Sequence, residues 1–289
     1  MASISFIMRT STLLLIKSKF ILLSKNASQQ SLKGKLVETI QNNGITTISM
    51  ARPPVNSLSL EMAVELRKAI ENSIDNNTKG IILTSSLASV FSGGLDILEM
   101  YKPDLKRCTD FWHSLQDLWL TLYSLGIPTA AAINGASPAG GCLLALSCEY
   151  RVMVDGLHTI GLNETKLGIV APKWFQDPLI ATIGYRQAEL ALLRGTLFKP
   201  QEALKVGLVD ELASNKTDAL TKCISYITDY AKISTEARTA TKLSLRKETL
   251  TWLEGNREWD TTIFLNYVQL PQVQTNLDLY IQSLKKKSK

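Results

Sequence analysis

Short apolar runs alternate with amphipathic helical stretches along most of this chain, and that alternation narrows the folds open to it more than any other feature. "GKLVETIQ" and "GITTISMA" flank "NNG" and read as a β-hairpin. "RPPVN" ends the hairpin, because two prolines cannot continue a paired strand. Ser59 then reads as the N-cap of a helix running to about Asn76, with Ala63, Leu66, Ile70 and Ile74 spaced as one buried stripe. "GIILTSS" follows as a short buried strand, and the same order recurs: a helix over about 104–125, the strand "PTAAAIN", a short helix in "GGCLLALSCEY", then the strands "RVMVD" and "HTIGL". Successive strand, strand, helix units predict an α/β fold, with stacked layers of parallel pairing and helices outside. The units are too dissimilar in sequence to be a repeat.

After about residue 174 the pattern turns helical. "PLIATIGYRQAELALLRG" predicts one helix ending on Gly195, and "KPQEALKVGLVDEL" a short helix breaking into a strand. Four further helices are expected in "ALTKCISYITDYAKI", "STEARTATKLSLRKETL", "EWDTTIFLNYVQL" and "PQVQTNLDLYIQSLKKK". The expected division is a leader over 1–33, a core over 34–215 and a C-terminal helical region over 216–289, the last acting as a cap on the core or as an intersubunit element.

Charge is informative through its distribution. Residues 1–35 hold six of the 32 basic residues and none of the 26 acidic ones, so the rest of the chain is balanced. A basic excess confined to a leader argues against a nucleic-acid-binding face. The leader, rich in Ser, Lys and aliphatics, fits an amphipathic mitochondrial targeting segment, and the matrix is the expected location. Its apolar runs, "TLLLI" and "FILL", are cut by "KSK" and are too short to span a bilayer. Cys108, Cys142, Cys148 and Cys223 form no C-x-x-C pair, and His113 and His158 are the only histidines. Neither zinc spacing nor a Ser-His-Asp arrangement is indicated, no metal site is expected, and buried reduced thiols are.

Three segments stand out from this framework. "VFSGGLDILEM" (90–100) puts two glycines after a strand, where the backbone can bend and present amide hydrogens outward; a plain turn would look the same. "INGASPAGGCLLAL" (133–146) runs through Gly135, Pro138, Gly140 and Gly141 into an apolar helix whose first N–H groups lack helical partners; close helix packing explains such glycines equally well. "GLNETKLGI" (161–169) offers Asn163 as an N-cap and Glu164 as a first-turn acid. Taken together, two glycine-lined amide sources and one carboxylate at a later strand-to-helix junction make a constellation that the separate explanations do not predict.

These same residues, with "RPPVNSLS" and "LWLTLYSLGIPTAAAING", resemble the crotonase, or enoyl-CoA hydratase/isomerase, superfamily, from about residue 36 to the end. The resemblance is to its mitochondrial double-bond isomerase branch. It implies a crotonase-like ββα spiral core with a C-terminal helical region, a homotrimer or a dimer of trimers, and enoyl-CoA thioesters as substrate with no other cofactor. By motif position it implies an oxyanion hole from the backbone amides of Leu95 and Gly140, with Gly93, Gly94, Leu95, Asp96 and Ile97 lining the CoA and thioester end. Hydratases similar to it carry two glutamates. Here the first position holds Leu143, and only Glu164 remains. A single acid/base suits a 1,3-proton shift, so the expected reaction moves the double bond of 3-enoyl-CoA to give trans-2-enoyl-CoA in fatty-acid β-oxidation. A hydratase or other crotonase reaction, and a non-catalytic acyl-CoA-binding, scaffolding or RNA-binding relative, stay open as alternatives. Leu143 argues against hydration, the balanced charge against RNA, and Glu164 against an inactive binder.

The remaining candidates are individually weak. Leu167, Ile169, Trp174 and Phe175 could wall off Glu164 or be ordinary core. Asp96 and Glu99 could be turn caps. Arg52, Lys242 and Lys247 are candidates for the CoA phosphates, and Trp252 and Trp259 for packing against the core or a neighbouring copy.

Overall fold

The computed structural model describes residues 35–76 and 78–286, so the expected leader lies outside the described residues. The hairpin is present: β1 (Val37–Asn42) pairs antiparallel with β2 (Ile45–Met50). From β2 onward the main sheet is parallel, adding β3 (Gly80–Ser85), β4 (Thr129–Ile133), β6 (Tyr150–Val154) and β8 (Glu211–Ala213), in the order β1-β2-β3-β4-β6-β8. Its central strands are buried along their whole length, as a parallel sheet covered on both faces requires. Alternate residues serve the two faces. Ile81 and Leu83 join the main core with Ile48, Leu66, Trp119 and Trp174, while Ile82, Ala130, Ala132 and Val152 meet Ala219, Cys223 and Ile227 of helix α7 (Lys216–Asp229).

A second, inner ladder runs beside the sheet. It consists of β5 (Ser137–Pro138) paired with β7 (Ile160–Gly161), extended by the parallel bridges Leu58–Leu95 and Val90–Ala136. Each spiral turn therefore supplies a long sheet strand, a short inner segment and a helix. The helices are α1 (Leu60–Asp75), α2 (Leu105–Tyr123), α3 (Gly140–Ser147) and α4 (Lys173–Ile183). Ser59 caps α1 by accepting the Met62 N–H, as the sequence predicts, and Asp104 caps α2.

Several expectations need correction. Ile74 is 43% exposed and lies off the buried stripe of α1. The helix predicted to end at Gly195 is two, α4 and α5 (Tyr185–Arg194), broken at Gly184, whose φ of 79° and ψ of 155° leave helical space. In "HTIGL" only Ile160 and Gly161 form a strand. Beyond α6 (Pro200–Lys205), β8 and α7, two of the predicted tail helices merge as α8 (Thr235–Val268), kinked at Asn256, and α9 (Pro271–Lys286) closes the fold.

The tail packs on the core through buried polar contacts as well as apolar ones. Asp260 Oδ2 accepts the indole N–H of Trp112 (2.8 Å) and Trp174 (3.1 Å) and the Gln116 amide (2.8 Å). Glu149 is held by Arg238 and by Lys242 (2.7 Å), both from α8. All four cysteines are buried and free. No helix among the described residues is long and apolar enough to cross a membrane.

Candidate active site

The inner ladder determines which way the first glycine loop points its amides. Leu58 N–H donates to Gly94 C=O (2.8 Å) and Asp96 N–H to Leu58 C=O (3.0 Å), the bond pattern of a parallel bridge centred on Leu95. In that pattern the residue between the two bonds turns its own N–H to the opposite side. Leu95 N–H accordingly has no acceptor among the described residues.

The second loop meets the first on that open side. A Cβ built on Gly94, whose φ is +86°, would lie 3.0 Å from Ala139 Cβ and from Pro138 O and 3.2 Å from Gly140 N. One built on Gly140 would lie 3.3 Å from Leu95 N. At Gly94 the positive φ and these backbone contacts favour glycine, while at Gly140 an added Cβ would crowd Leu58 and Leu95 by a few tenths of an ångström. Ala139 enters α3 at φ 49° and ψ −121°, strained for a residue with a side chain and costing on the order of 1–3 kcal/mol. Its N–H is held by Gly161 C=O (2.8 Å), and the rotated peptide leaves Gly140 N–H, at the positive end of α3, without an acceptor among the described residues.

Glu164 arrives from the next spiral turn. β7 pairs with β5, the segment leading into Gly140, and three residues after β7 the chain enters a 3₁₀ turn over Glu164–Leu167, closed by Gly168 at φ 71°. The Glu164 carboxyl is 6% exposed and neither oxygen has a hydrogen-bond partner. Burial raises its pKa from 4.5 to about 7, opposed only by its own main-chain N–H, which is outside hydrogen-bond geometry. Cys142, in the first turn of α3, has its thiol pKa raised by burial first and by the Glu164 charge next. The sequence reading of Asn163 as a side-chain cap fails, since its side chain makes no cap bond. Leu143 is 1% exposed and packed in the main core.

The structure thus brings Gly93, Gly94, Leu95 and Gly140 to one place, and Glu164 follows the strand that pairs with the segment leading into Gly140. Asp96 and Ile97 follow directly, Asp96 capping the short 3₁₀ turn Ile97–Glu99 through Leu98 N–H (3.1 Å) and pairing with Arg52 (2.8 Å). Glu99 is buried and bound by Arg107 (2.7 Å). Lys242 is not available to a phosphate: it is buried against Glu149 and Leu125 C=O, and burial lowers its pKa to about 8. Lys247 is exposed. Trp174 and Phe175 belong to an aromatic core with Trp112 and Trp119, and Trp259 stays 57% exposed.

Sequence reasoning placed the last helix but gave no sign of its contacts with the site. Across α9, Gln274 donates to Met100 C=O (2.9 Å) and accepts from Lys102 N–H (2.8 Å), and Asp278 accepts the Tyr101 hydroxyl (2.7 Å). Asn276 abuts Gly168, where a Cβ would lie 2.1 Å from its amide nitrogen. One helix therefore rests on both the segment after Leu95 and the turn after Glu164. Beside that turn lies an apolar cavity of about 180 Å³, bounded by Trp112, Ile169, Val170, Pro172, Phe264 and Val273. A larger open groove, about 790 Å³, runs between Tyr101, Lys102 and α9, away from the free amides. Chemically, two unpaired N–H groups can stabilise a developing oxyanion, and a carboxyl titrating near neutrality can take and return a proton.

Comparison with known proteins agrees with this geometry. The sequence profile described as "Enoyl-CoA hydratase/isomerase" matches residues 40–288. The chain is 46% identical over 257 residues to mouse "Enoyl-CoA delta isomerase 1, mitochondrial", covering 88% of this chain and 89% of the mouse protein. Against the human protein of the same name it is 42% identical over 252 residues, covering 86% and 83%. Its fold superposes on the crystal structure of human mitochondrial delta3-delta2-enoyl-CoA isomerase with a TM-score of 0.85 and 40% identity, covering 88% of this chain and 99% of that one. An enoyl-CoA hydratase from Bacillus halodurans gives a TM-score of 0.76 at 25% identity, covering 85% and 100%. With its α/β spiral, its paired glycine loops and these matches, the chain belongs to the enoyl-CoA hydratase/isomerase family.

Proposed function

We propose that this protein is a Δ3-Δ2-enoyl-CoA isomerase of fatty-acid β-oxidation, in which Glu164 alone carries the proton and the amides of Leu95 and Gly140 form the oxyanion hole. The observation that carries the reading is a buried carboxyl with no partner, on the turn that follows the strand paired with the segment leading into Gly140, in a chain with Leu143 where a second acid would sit.

The chemistry follows from the substrate. In a 3-enoyl thioester the C2 proton is acidified by both the carbonyl and the neighbouring double bond. Glu164 takes that proton as a carboxylate. The C2–H bonding pair becomes a new C1–C2 double bond as the carbonyl π pair moves to oxygen, giving a dienolate. Leu95 and Gly140 N–H groups bind that oxygen, and losing one such donor costs about 2.7–4 kcal/mol in comparable sites. The electrons then return: the carbonyl re-forms, C2–C3 becomes the double bond, and C4 receives the proton from the Glu164 acid. Nothing is oxidised or reduced overall, so the proposal includes neither a metal nor a redox cofactor. A base near pKa 7 is well matched to this task at neutral pH, far better than a carboxylate near 4.5.

Gly93, Gly94, Leu95, Asp96 and Ile97 line the CoA and thioester end in this reading. The acid-free basic leader over 1–33 supports delivery to the mitochondrial matrix, in keeping with the relatives' names. A homotrimer, which the resemblance to the family implies, belongs to this reading.

The test is a spectrophotometric assay with 3-enoyl-CoA and 2-enoyl-CoA on wild type and Glu164→Gln. Wild type should form the conjugated thioester and the variant should lose that activity. Efficient hydration of 2-enoyl-CoA, or undiminished isomerisation by the variant, would overturn the assignment.

A further inference from the structure

"RPPVN" enters the sequence only as a strand terminator, yet in the structure it is the template on which the Leu95 loop is laid. Gly93 N–H donates to Val55 C=O (2.7 Å), and Leu58 makes the two ladder bonds around Leu95. Asn56 sits between these contacts, fully buried, in a left-handed conformation (φ 49°) that Asn tolerates better than most residues. Its Oδ1 accepts Arg52 N–H (2.8 Å), and its Nδ2 donates to Ser85 Oγ (2.8 Å) and Phe91 C=O (2.9 Å). Its own C=O accepts the hydroxyl of Ser92 (2.8 Å), and the same Ser92 oxygen accepts Gly94 N–H (3.2 Å). Ser92 is likewise fully buried.

The consequence turns on Gly94. Glycine is the residue least able to hold one backbone conformation, and the direction of Leu95 N–H depends on its φ and ψ. Those angles are fixed by the two peptides flanking it. The peptide before it is held at its N–H by Ser92 Oγ, and the peptide after it at its C=O by Leu58 N–H. The second bond is part of the ladder; the first depends wholly on a hydroxyl that Asn56 orients.

We infer that Asn56 and Ser92 are positioning residues for the Leu95 amide, a buried relay that fixes the Gly93–Gly94 peptide and thereby aims the oxyanion donor. The inference rests on the proposed role of that amide. Neither side chain reaches the free N–H or Glu164, so the relay acts on transition-state stabilisation and leaves the proton carrier alone.

The variants are Ser92→Ala, Ser92→Cys, which keeps the size and a weak donor and acceptor, and Asn56→Asp, which keeps shape and left-handed tolerance but replaces both N–H donors with an acceptor facing Phe91 C=O. For Ser92→Ala, kcat should fall about tenfold or more, part of the ~10²–10³-fold attached to a lost oxyanion donor, with KM within about twofold and the apparent pKa of kcat/KM unmoved. Ser92→Cys should recover part of the loss. A bound 3-ketoacyl-CoA supplies a readout independent of turnover, because the fraction held as its enolate, read by ultraviolet absorbance, should fall with kcat. Should Ser92→Ala fail to fold, Asn56→Asp is expected to show the same split between kcat and KM. A folded Ser92→Ala with kcat and enolate fraction matching wild type would overturn the inference, as would a rise in KM matching the fall in kcat. A wild type that neither isomerises 3-enoyl-CoA nor holds the enolate would instead overturn the function on which the inference rests.

Discussion

Replacing Glu164 by glutamine should do two opposite things, and both follow from one number. Burial without a partner moves this carboxyl from 4.5 to about 7. A tenfold change in proton affinity is worth about 1.4 kcal/mol, so keeping Glu164 ionised costs the native state about 3 kcal/mol above pH 7. The sign is that of a group whose folded-state pKa is raised. Between pH 4.5 and about 7 the native protein holds a proton that the unfolded chain has lost, so this contribution is complete below 4.5 and disappears as pH rises through about 7. Glutamine is neutral throughout. Glu164→Gln should therefore match wild type near pH 4 and exceed it by up to about 3 kcal/mol at pH 8, or about 6–12 °C in melting temperature for a chain this size. The same variant should lose isomerase activity, a stability–activity trade located in one side chain. Urea denaturation of both proteins at several pH values measures the first effect. Turnover of 3-enoyl-CoA by the variant measures the second, and the pH profile of wild-type kcat/KM, rising to a plateau with an apparent pKa near 7, checks the number behind both. A variant no more stable than wild type at pH 8, or a rate profile already level by about pH 5.5, would refute the reasoning.

Three other perturbations probe the frame around that group. Gly94→Ala puts a methyl 3.0 Å from Ala139 Cβ and Pro138 O at a left-handed position. It should cost about 1–2 kcal/mol of stability and reduce kcat by tenfold or more, read by denaturation and turnover on the same preparation. Asp260→Ala orphans the indole N–H donors of Trp112 and Trp174 and takes away the nearest acceptor of Gln116, and it should lower stability by about 3–5 kcal/mol, with Asp260→Asn losing less, as urea midpoints will show. Glu149→Gln leaves Arg238 and Lys242 without their buried counter-charge and should cost about 3–5 kcal/mol, with faster hydrogen exchange along α8.

The parts of this structure legible in the sequence are those set by short-range chemistry. Apolar runs bounded by turn signals give the strands of a parallel sheet, Ser59 gives a cap, and paired glycines after strands give the loops whose backbones touch. The helix break at Gly184 was not legible, because a lone glycine costs a helix only about 1 kcal/mol and the apolar pattern continues on both sides. Nor was the strain at Ala139, since "PAGG" reads as small residues for packing, and positive φ at alanine is imposed by tertiary contacts. The template formed by residues 51–58 carries no periodicity, and its bonds to residues 91–96 span 35 or more positions. The reach of α9 to Met100 and Lys102 spans more than 170. Local pattern holds no information about such partners, and here they hold the site together.

Burial as the cause of the Glu164 shift has one more consequence. In a site with two neighbouring carboxylates, each raises the other's pKa, and protons leave in two coupled steps that belong to the pair. Here no other acid contributes to the Glu164 shift, and Leu143, which the family resemblance puts at the position of a second glutamate, is packed in the core. The low-pH limb of kcat/KM should therefore follow a single ionisation, with a log–log slope of about one between pH 5 and pH 7. In Glu164→Asp, which shortens the reach but keeps one acid, the rate should drop while the limb keeps that slope. Two resolved ionisations in wild type would mean that a second carboxylate shares the proton, and the single-base mechanism would have to be abandoned.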